Sequence, residues 1–360
     1  MLLSEFFKRN NNNLDLIRLF LALIVIYGHV PAFKGVAPGY VDFATRIFPF
    51  TYSGALAVKS FFLISGLLVT NSILTKRNYK TYIVSRVFRI YPALVFASCA
   101  IILSCSFIFN LSGHEFISSS LKYLKGVFLM NLKYSIAGVS FCGPDSPMSH
   151  CNTVNGSIWT IPIEIKMYLT LLAVYLLSVS FVWNKKILIT VFGLISIAPI
   201  LINPPLMGGG DNEEVTFLIA SFFAGSVLAV LKENIVIDWK FVVSMFILYS
   251  VVDNPVIKHW LCYVAVPVAL IWVSTLPLIK RIKLKTDISY GVYVWGWFIQ
   301  VVVQFLYPEL SYRSYLFTCI LVSFVIAYFS AKVIEEPSMR LAQVINRKIT
   351  QGSALINRSC

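Results

Sequence analysis

Charge is what this chain has least of. Only 13% of its 360 residues are Asp, Glu, Lys or Arg, with 16 acidic residues against 30 basic ones. Soluble domains are about a quarter charged, so an ordinary hydrated surface is excluded. There is no polar domain at either end, and no low-complexity tract beyond the asparagines at 10–13. No internal repeat is visible, which sets aside the inverted-repeat plan of many transporters. Lys8 and Arg9 precede the first apolar run as they would in a signal peptide. No small-residue cleavage site follows it, so that run is expected to stay as a helix. The net charge of +14 would suit nucleic acid. However, the cations fall in short clusters between apolar runs, which points to membrane topology and contacts with anionic lipid or phosphate.

What fills the chain is apolar: 58% of residues are hydrophobic. The expected fold class is all-α, a polytopic integral membrane helical bundle of about ten transmembrane helices. The spans fall near 14–31, 55–74, 90–110, 159–181, 187–203, 215–231, 240–253, 259–278, 287–306 and 314–334. Each approaches the length that crosses a hydrocarbon core of about 30 Å. With a cytoplasmic N-terminus, about 19 Lys and Arg fall on the inner side, Arg9 and Arg358 among them, against about 7 on the outer side. That asymmetry places both termini in the cytoplasm. Residues 1–340 are expected to form one membrane domain and 341–360 a basic cytoplasmic tail.

The first span carries Asp15, Arg18 and His29 within an apolar run. On a helix Arg18 and His29 lie roughly 20° apart in azimuth and roughly 16 Å apart along the axis. Asp15 is placed to pair with Arg18 three residues on. Ionisable groups inside a membrane usually face the bundle interior and have a function.

Further along, Ser65 and Gly66 in Phe61-Phe62-Leu63-Ile64-Ser65-Gly66 allow close helix approach or leave room for a slender ligand. A cytoplasmic segment carries Arg86 and Arg89 before Tyr91-Pro92, just ahead of the third span. Two guanidinium forks on one helical face suit phosphate, and ordinary positive-inside charge is the alternative.

The long outer connection 111–158 holds an amphipathic stretch, 116–132, that would lie in the interface. Cys142 and Cys151 then bracket the turn-rich residues 143–147. An oxidising outer compartment permits their disulfide, and free thiols stay open as the alternative. The fourth span opens with Ser157 as the expected N-cap, Trp159, Pro162 to bend or restart the helix, and Glu164 about one turn in. The ninth is rich in aromatic and small residues, with Tyr290 and Tyr293. The last is expected to stop at Glu335-Glu336-Pro337.

These motifs, in this order, resemble the membrane-bound acyltransferase 3 family, in particular its bacterial polysaccharide (O-antigen-type) O-acetyltransferases. The resemblance runs from about 14 to 337. It rests on Arg18 with His29, on Phe61 to Gly66, on Arg86 to Pro92, on Trp159 to Glu164 and on Ser289 to Trp297. One departure is Gly296, which stands where many relatives have histidine.

The resemblance implies a multi-pass protein of the bacterial inner membrane. Acetyl-CoA would be the donor, and a sugar hydroxyl of a lipid-linked or surface polysaccharide such as O-antigen the acceptor. No metal and no nucleic acid are expected, and the partners would be the glycan, acetyl-CoA and membrane lipid. His29, Glu164 and Asp15 would be catalytic: His29 as base or acetyl carrier, Glu164 orienting it or pairing with an arginine, and Asp15 holding Arg18. Arg18, Arg86, Arg89, Ser65 and Gly66 would bind the donor, and Trp159, Tyr290 and Tyr293 the acceptor. The rival reading is a transporter or exporter of a lipid-linked glycan or small solute, since buried charges also line transport paths.

Overall fold

The computed structural model describes residues 1–356 apart from 9, 37–38, 143–149, 183 and 203–212. The turn-rich stretch 143–147 and two of the counted cations, Arg9 and Arg358, lie outside the described residues. The elements are helices: α1 (Leu3–Phe6), α2 (Leu14–Lys34), α3 (Phe43–Ile47), α4 (Ser53–Lys76), α5 (Tyr79–Phe109), α6 (His114–Leu129), α7 (Ile161–Ser180) and α8 (Lys185–Ile202). There follow α9 (Glu213–Val230), α10 (Trp239–Val251), α11 (Pro255–Val273), α12 (Pro277–Arg281), α13 (Ser289–Leu306), α14 (Tyr312–Ser330) and α15 (Glu336–Ile356). Among the described residues, β pairing is limited to one isolated bridge, Leu2 with Val236.

Each apolar stretch of the sequence is helical. Among the described residues, seven helical stretches are long and apolar enough to cross a membrane, and α9 and α10 are shorter apolar helices.

Three local expectations are corrected. The third span starts at Tyr79, because Asn78 caps it by accepting from the Thr81 N–H at 3.1 Å. Arg86 and Arg89 therefore lie inside α5, not in a segment ahead of it. The helix runs on through Pro92, as membrane helices tolerate. Ser157 is not an N-cap: it opens a 3₁₀ turn, Ser157–Thr160, and its own N–H donates to the Asn155 side chain at 3.2 Å. Pro162 then falls in the first turn of α7, where its missing N–H needs no partner. Finally, Pro337 does not end the last helix. A π-helical turn, Ala331–Glu335, leads directly into α15. Pro337 sits in the first turn of α15, so a break is not required there.

The chain divides into two compact units. The first comprises Met1–Leu21, Asp42–Arg77 and Ile163–Lys285. In it the asparagine tract has a structural use. Asn13 receives the Leu16 N–H at the start of α2 and donates to the Ile279 carbonyl at 2.8 Å, tying α2 to α12. Helices α4 and α9 approach through reciprocal glycines. A Cβ on Gly66 would lie 1.9 Å from the Phe222 carbonyl oxygen, and one on Gly225 would lie 2.0 Å from that of Leu63. Small residues at a membrane helix crossing permit this backbone proximity. Beside the crossing, Lys59 is fully buried, with its Nζ 2.5 Å from Glu214 and 4.5 Å from the Tyr263 ring centre. A charge removed from water in this way requires such a partner.

The second unit comprises Ala22–Val41, Asn78–Pro162 and Thr286–Cys360. Here α15 runs beside α5, with the Asn346 amide donating to the Ser85 hydroxyl at 3.0 Å. The expected tail from 341 is thus helical as far as Ile356.

Candidate active site

In the second unit a buried hydrogen bond joins α2 to α13. Gln300, fully buried on α13, donates to the Ile26 carbonyl at 2.9 Å, and Tyr315 donates to the Gln300 carbonyl at 2.8 Å. Gly296 supports the same approach, since a Cβ there would meet Ile26 at 3.0 Å. Gly296 is therefore a packing position in this chain.

One turn along α2 from Ile26 is His29, and its imidazole meets the Trp297 indole edge-to-face at 5.0 Å between centres. Its Nδ1 is buried with no hydrogen-bond partner among the described residues. A buried polar atom left unsatisfied costs free energy unless a ligand, ion or water completes it. The side chain most strongly singled out by the sequence thus has hydrogen-bonding capacity to spare.

A second imidazole, which sequence reasoning missed, lies against the same indole. His150 is exposed, and its ring centre is 5.7 Å from that of Trp297. It precedes Cys151, which is disulfide-bonded to Cys142, so the bond left open by the sequence is formed. The next residues fasten the loop onto α13. The Trp297 Nε1 donates to the Thr153 carbonyl at 3.2 Å, and the Asn155 amide donates to that of Val294 at 2.9 Å. Gly156 is required for this fit, because a Cβ would stand 2.7 Å from the indole. Tyr293, expected as an acceptor contact, donates to the Ser157 carbonyl at 2.7 Å and lies 2.7 Å from the Thr160 hydroxyl. Trp159 is half-buried in the same turn.

The arginine motif lies elsewhere in this unit. The Arg89 guanidinium is 2.8 Å from Asp287 and 3.9 Å from Glu335, and its carbon lies 5.6 Å from the Tyr290 ring centre. Asp287 also receives the Ser289 N–H and hydroxyl at the start of α13, which fixes its carboxylate. Glu335 is 5% exposed and closes the π-helical turn, an irregularity frequent at functional sites. Tyr290 donates to the Ile90 carbonyl at 3.1 Å. Arg86 is half-buried, one helical turn before Arg89.

Five other expected site residues, Asp15, Arg18, Ser65, Gly66 and Glu164, belong to the first unit. Glu164 accepts from the Tyr168 hydroxyl and, at 3.4 Å, from Ser65. Ser65 and Glu164 are thus brought together, while the space beside Gly66 is filled by the α9 backbone. On α2, Asp15 is exposed in the first turn and Arg18 half-buried. Among the described residues, no group of three or more His, Cys, Asp or Glu could hold a metal ion.

These features define a multi-pass helical membrane protein in which the His29 Nδ1 is buried with no hydrogen-bond partner among the described residues. The acyltransferase 3 family model, described as an acyltransferase domain, matches residues 11–332, and the chain belongs to this family of acyltransferase enzymes. It is similar to an O-acetyl transferase of Shigella phage Sf6, 26% identical over 91% of this chain and 95% of the relative. It is also similar to Nodulation protein 10 of Rhizobium leguminosarum bv. viciae, 30% identical over 47% of this chain and 45% of that protein. No solved structure matches the chain.

Proposed function

We propose that the protein is an O-acetyltransferase of a bacterial cytoplasmic membrane. It moves acetyl from cytoplasmic acetyl-CoA to a sugar hydroxyl of a lipid-linked or surface polysaccharide of the O-antigen type. The observation that carries this reading is His29, an imidazole on a membrane helix whose buried Nδ1 has no hydrogen-bond partner among the described residues. Likeness over nearly the full length to a protein named O-acetyl transferase supports the acyl group. Both termini face the cytoplasm by charge bias, and the Cys142–Cys151 disulfide supports an outer, oxidising location for its loop. Residues 1–340 form the acyltransferase body, with the basic end beyond them at the cytoplasmic leaflet.

In the reaction the sugar oxygen attacks the acetyl carbonyl, the carbon–sulfur bond breaks, and the hydroxyl proton passes through His29 to the departing thiolate. An acetyl group carried on His29 in two steps gives the same balance. Arg86 and Arg89 hold the donor phosphates. Ser65 lies along the donor path, Glu164 balances charge and Asp15 holds Arg18. Trp159, Tyr290 and Tyr293 shape the acceptor side.

The test compares surface glycan from cells with the wild-type protein, the His29→Ala variant and no protein, using NMR of base-labile O-acetyl groups. Acetyl signals with wild type alone are expected, a loss of about 100-fold or more, at equal membrane levels of the variant. Identical spectra from all three would overturn the reading. Coenzyme A binding that weakens in Arg86→Ala would separate the enzyme from an exporter.

A further inference from the structure

The exposed His150 has no place in the chemistry above, and its loop does not depend on it. Around it the anchors are made by backbone, including the His150 carbonyl that receives the Thr153 N–H at 3.1 Å, and by other side chains, never by its imidazole. The disulfide holds Cys151, and Phe141 donates to the Cys151 carbonyl at 2.9 Å. Val154 donates to the Tyr134 carbonyl at 2.7 Å, and Asn155 and Trp297 tie the following residues to α13. Were the position needed only to cover the Trp297 ring, an apolar side chain would do it better. Instead an exposed residue whose imidazole carries both a donor and an acceptor nitrogen lies against the indole that also meets His29. Two polar groups on one aromatic platform, one exposed and one with an unsatisfied buried atom, suit a ligand that brings several hydroxyls from the aqueous side.

We propose that His150 is an acceptor-binding residue. It hydrogen-bonds a hydroxyl of a carbohydrate and presents the neighbouring hydroxyl to His29, and the disulfide-anchored loop 150–157 is the acceptor wall of the site. This rests on the reading of His29 as the reacting histidine. The ligand class is a polyol, and binding precedes and is separate from acetyl transfer. His150 therefore acts on acceptor affinity, not on the rate of the bound complex or on the donor.

The experiment uses the full-length protein solubilised from membranes. Radiolabelled acetyl-CoA is the donor, and de-O-acetylated surface polysaccharide from the native host is the varied acceptor. Two substitutions separate packing from hydrogen bonding. His150→Phe keeps a ring on Trp297 and removes the donors and acceptors, whereas His150→Gln keeps hydrogen bonding and removes the ring. For His150→Phe the acceptor KM should rise about five- to tenfold with kcat within about twofold and the donor KM unchanged. For His150→Gln the acceptor KM should stay within about twofold of wild type. The reverse ranking, equal impairment, a fall in kcat, or wild-type behaviour of both would each overturn the proposal. His29→Ala runs in parallel. If it is inactive while both His150 variants behave as wild type, the acceptor wall falls and the reading of His29 stands. If it is active, both fall.

Discussion

The Trp297 corner and the Arg89 cluster are built from the same unit and handle polarity in opposite ways. At Arg89 the cation is matched by two carboxylates and an aromatic face, and one of those carboxylates is itself fixed by Ser289. At Trp297 an imidazole nitrogen is buried without a hydrogen-bond partner among the described residues, and another imidazole stands exposed. Compensated charge holds helices together, whereas an unsatisfied polar atom is left for a substrate to complete. The difference teaches that nearness to a motif is a poor guide to its use. The arginine that sequence pattern assigns to the donor is also the one tying α5 to the start of α13 and to the π-helical turn.

If that contrast is right, substitutions at the two places should fail in different ways. The largest effect is expected for Arg89→Ala, which leaves Asp287 and Glu335 facing each other without their cation. It should lower stability by about 3 kcal/mol, read as an earlier unfolding transition of the solubilised protein. His29→Ala should leave that transition unmoved while abolishing transfer. Next is Gly156→Ala, where the new Cβ runs into the rigid Trp297 ring. Its overpacking should cost about 1–2 kcal/mol, and acetylation should fall by more than stability explains, because the loop is displaced from the indole. Smallest is Asp287→Asn, which keeps the geometry at the start of α13 and removes one of the two charges on Arg89. A loss of about 1 kcal/mol in the same melting experiment is expected, with acceptor KM unchanged. If Asp287→Asn instead abolished activity at full stability, the carboxylates would act in the reaction and not only in holding Arg89, and the contrast would collapse.

The helices were legible because a membrane forces apolar runs of fixed length, and capping residues such as Asn78 and Asn13 only adjust where they begin. His29 was legible because an ionisable residue stands out in an apolar run. Lys59 stood in the same kind of surroundings and was missed, since its partner Glu214 is distant in sequence. The two carboxylates on Arg89 were hidden for the same reason. His150 carried no periodic signal at all: a polar residue in a polar loop looks ordinary, and only its place beside a bracketing cysteine could have drawn attention to it. The π-helical turn was unreadable because its residues form an unremarkable helical stretch, and Pro337 looked like a stop.

That turn has a further consequence. A helix advances about 100° per residue, so one extra residue in a turn rotates everything after it by about that angle. Ala331–Glu335 therefore sets the phase between α14 and α15, and the direction of Glu335 is a matter of registration, not of which residue occupies the position. A chain one residue shorter across this turn would keep every amino acid of the Arg89 cluster and still aim the carboxylate elsewhere.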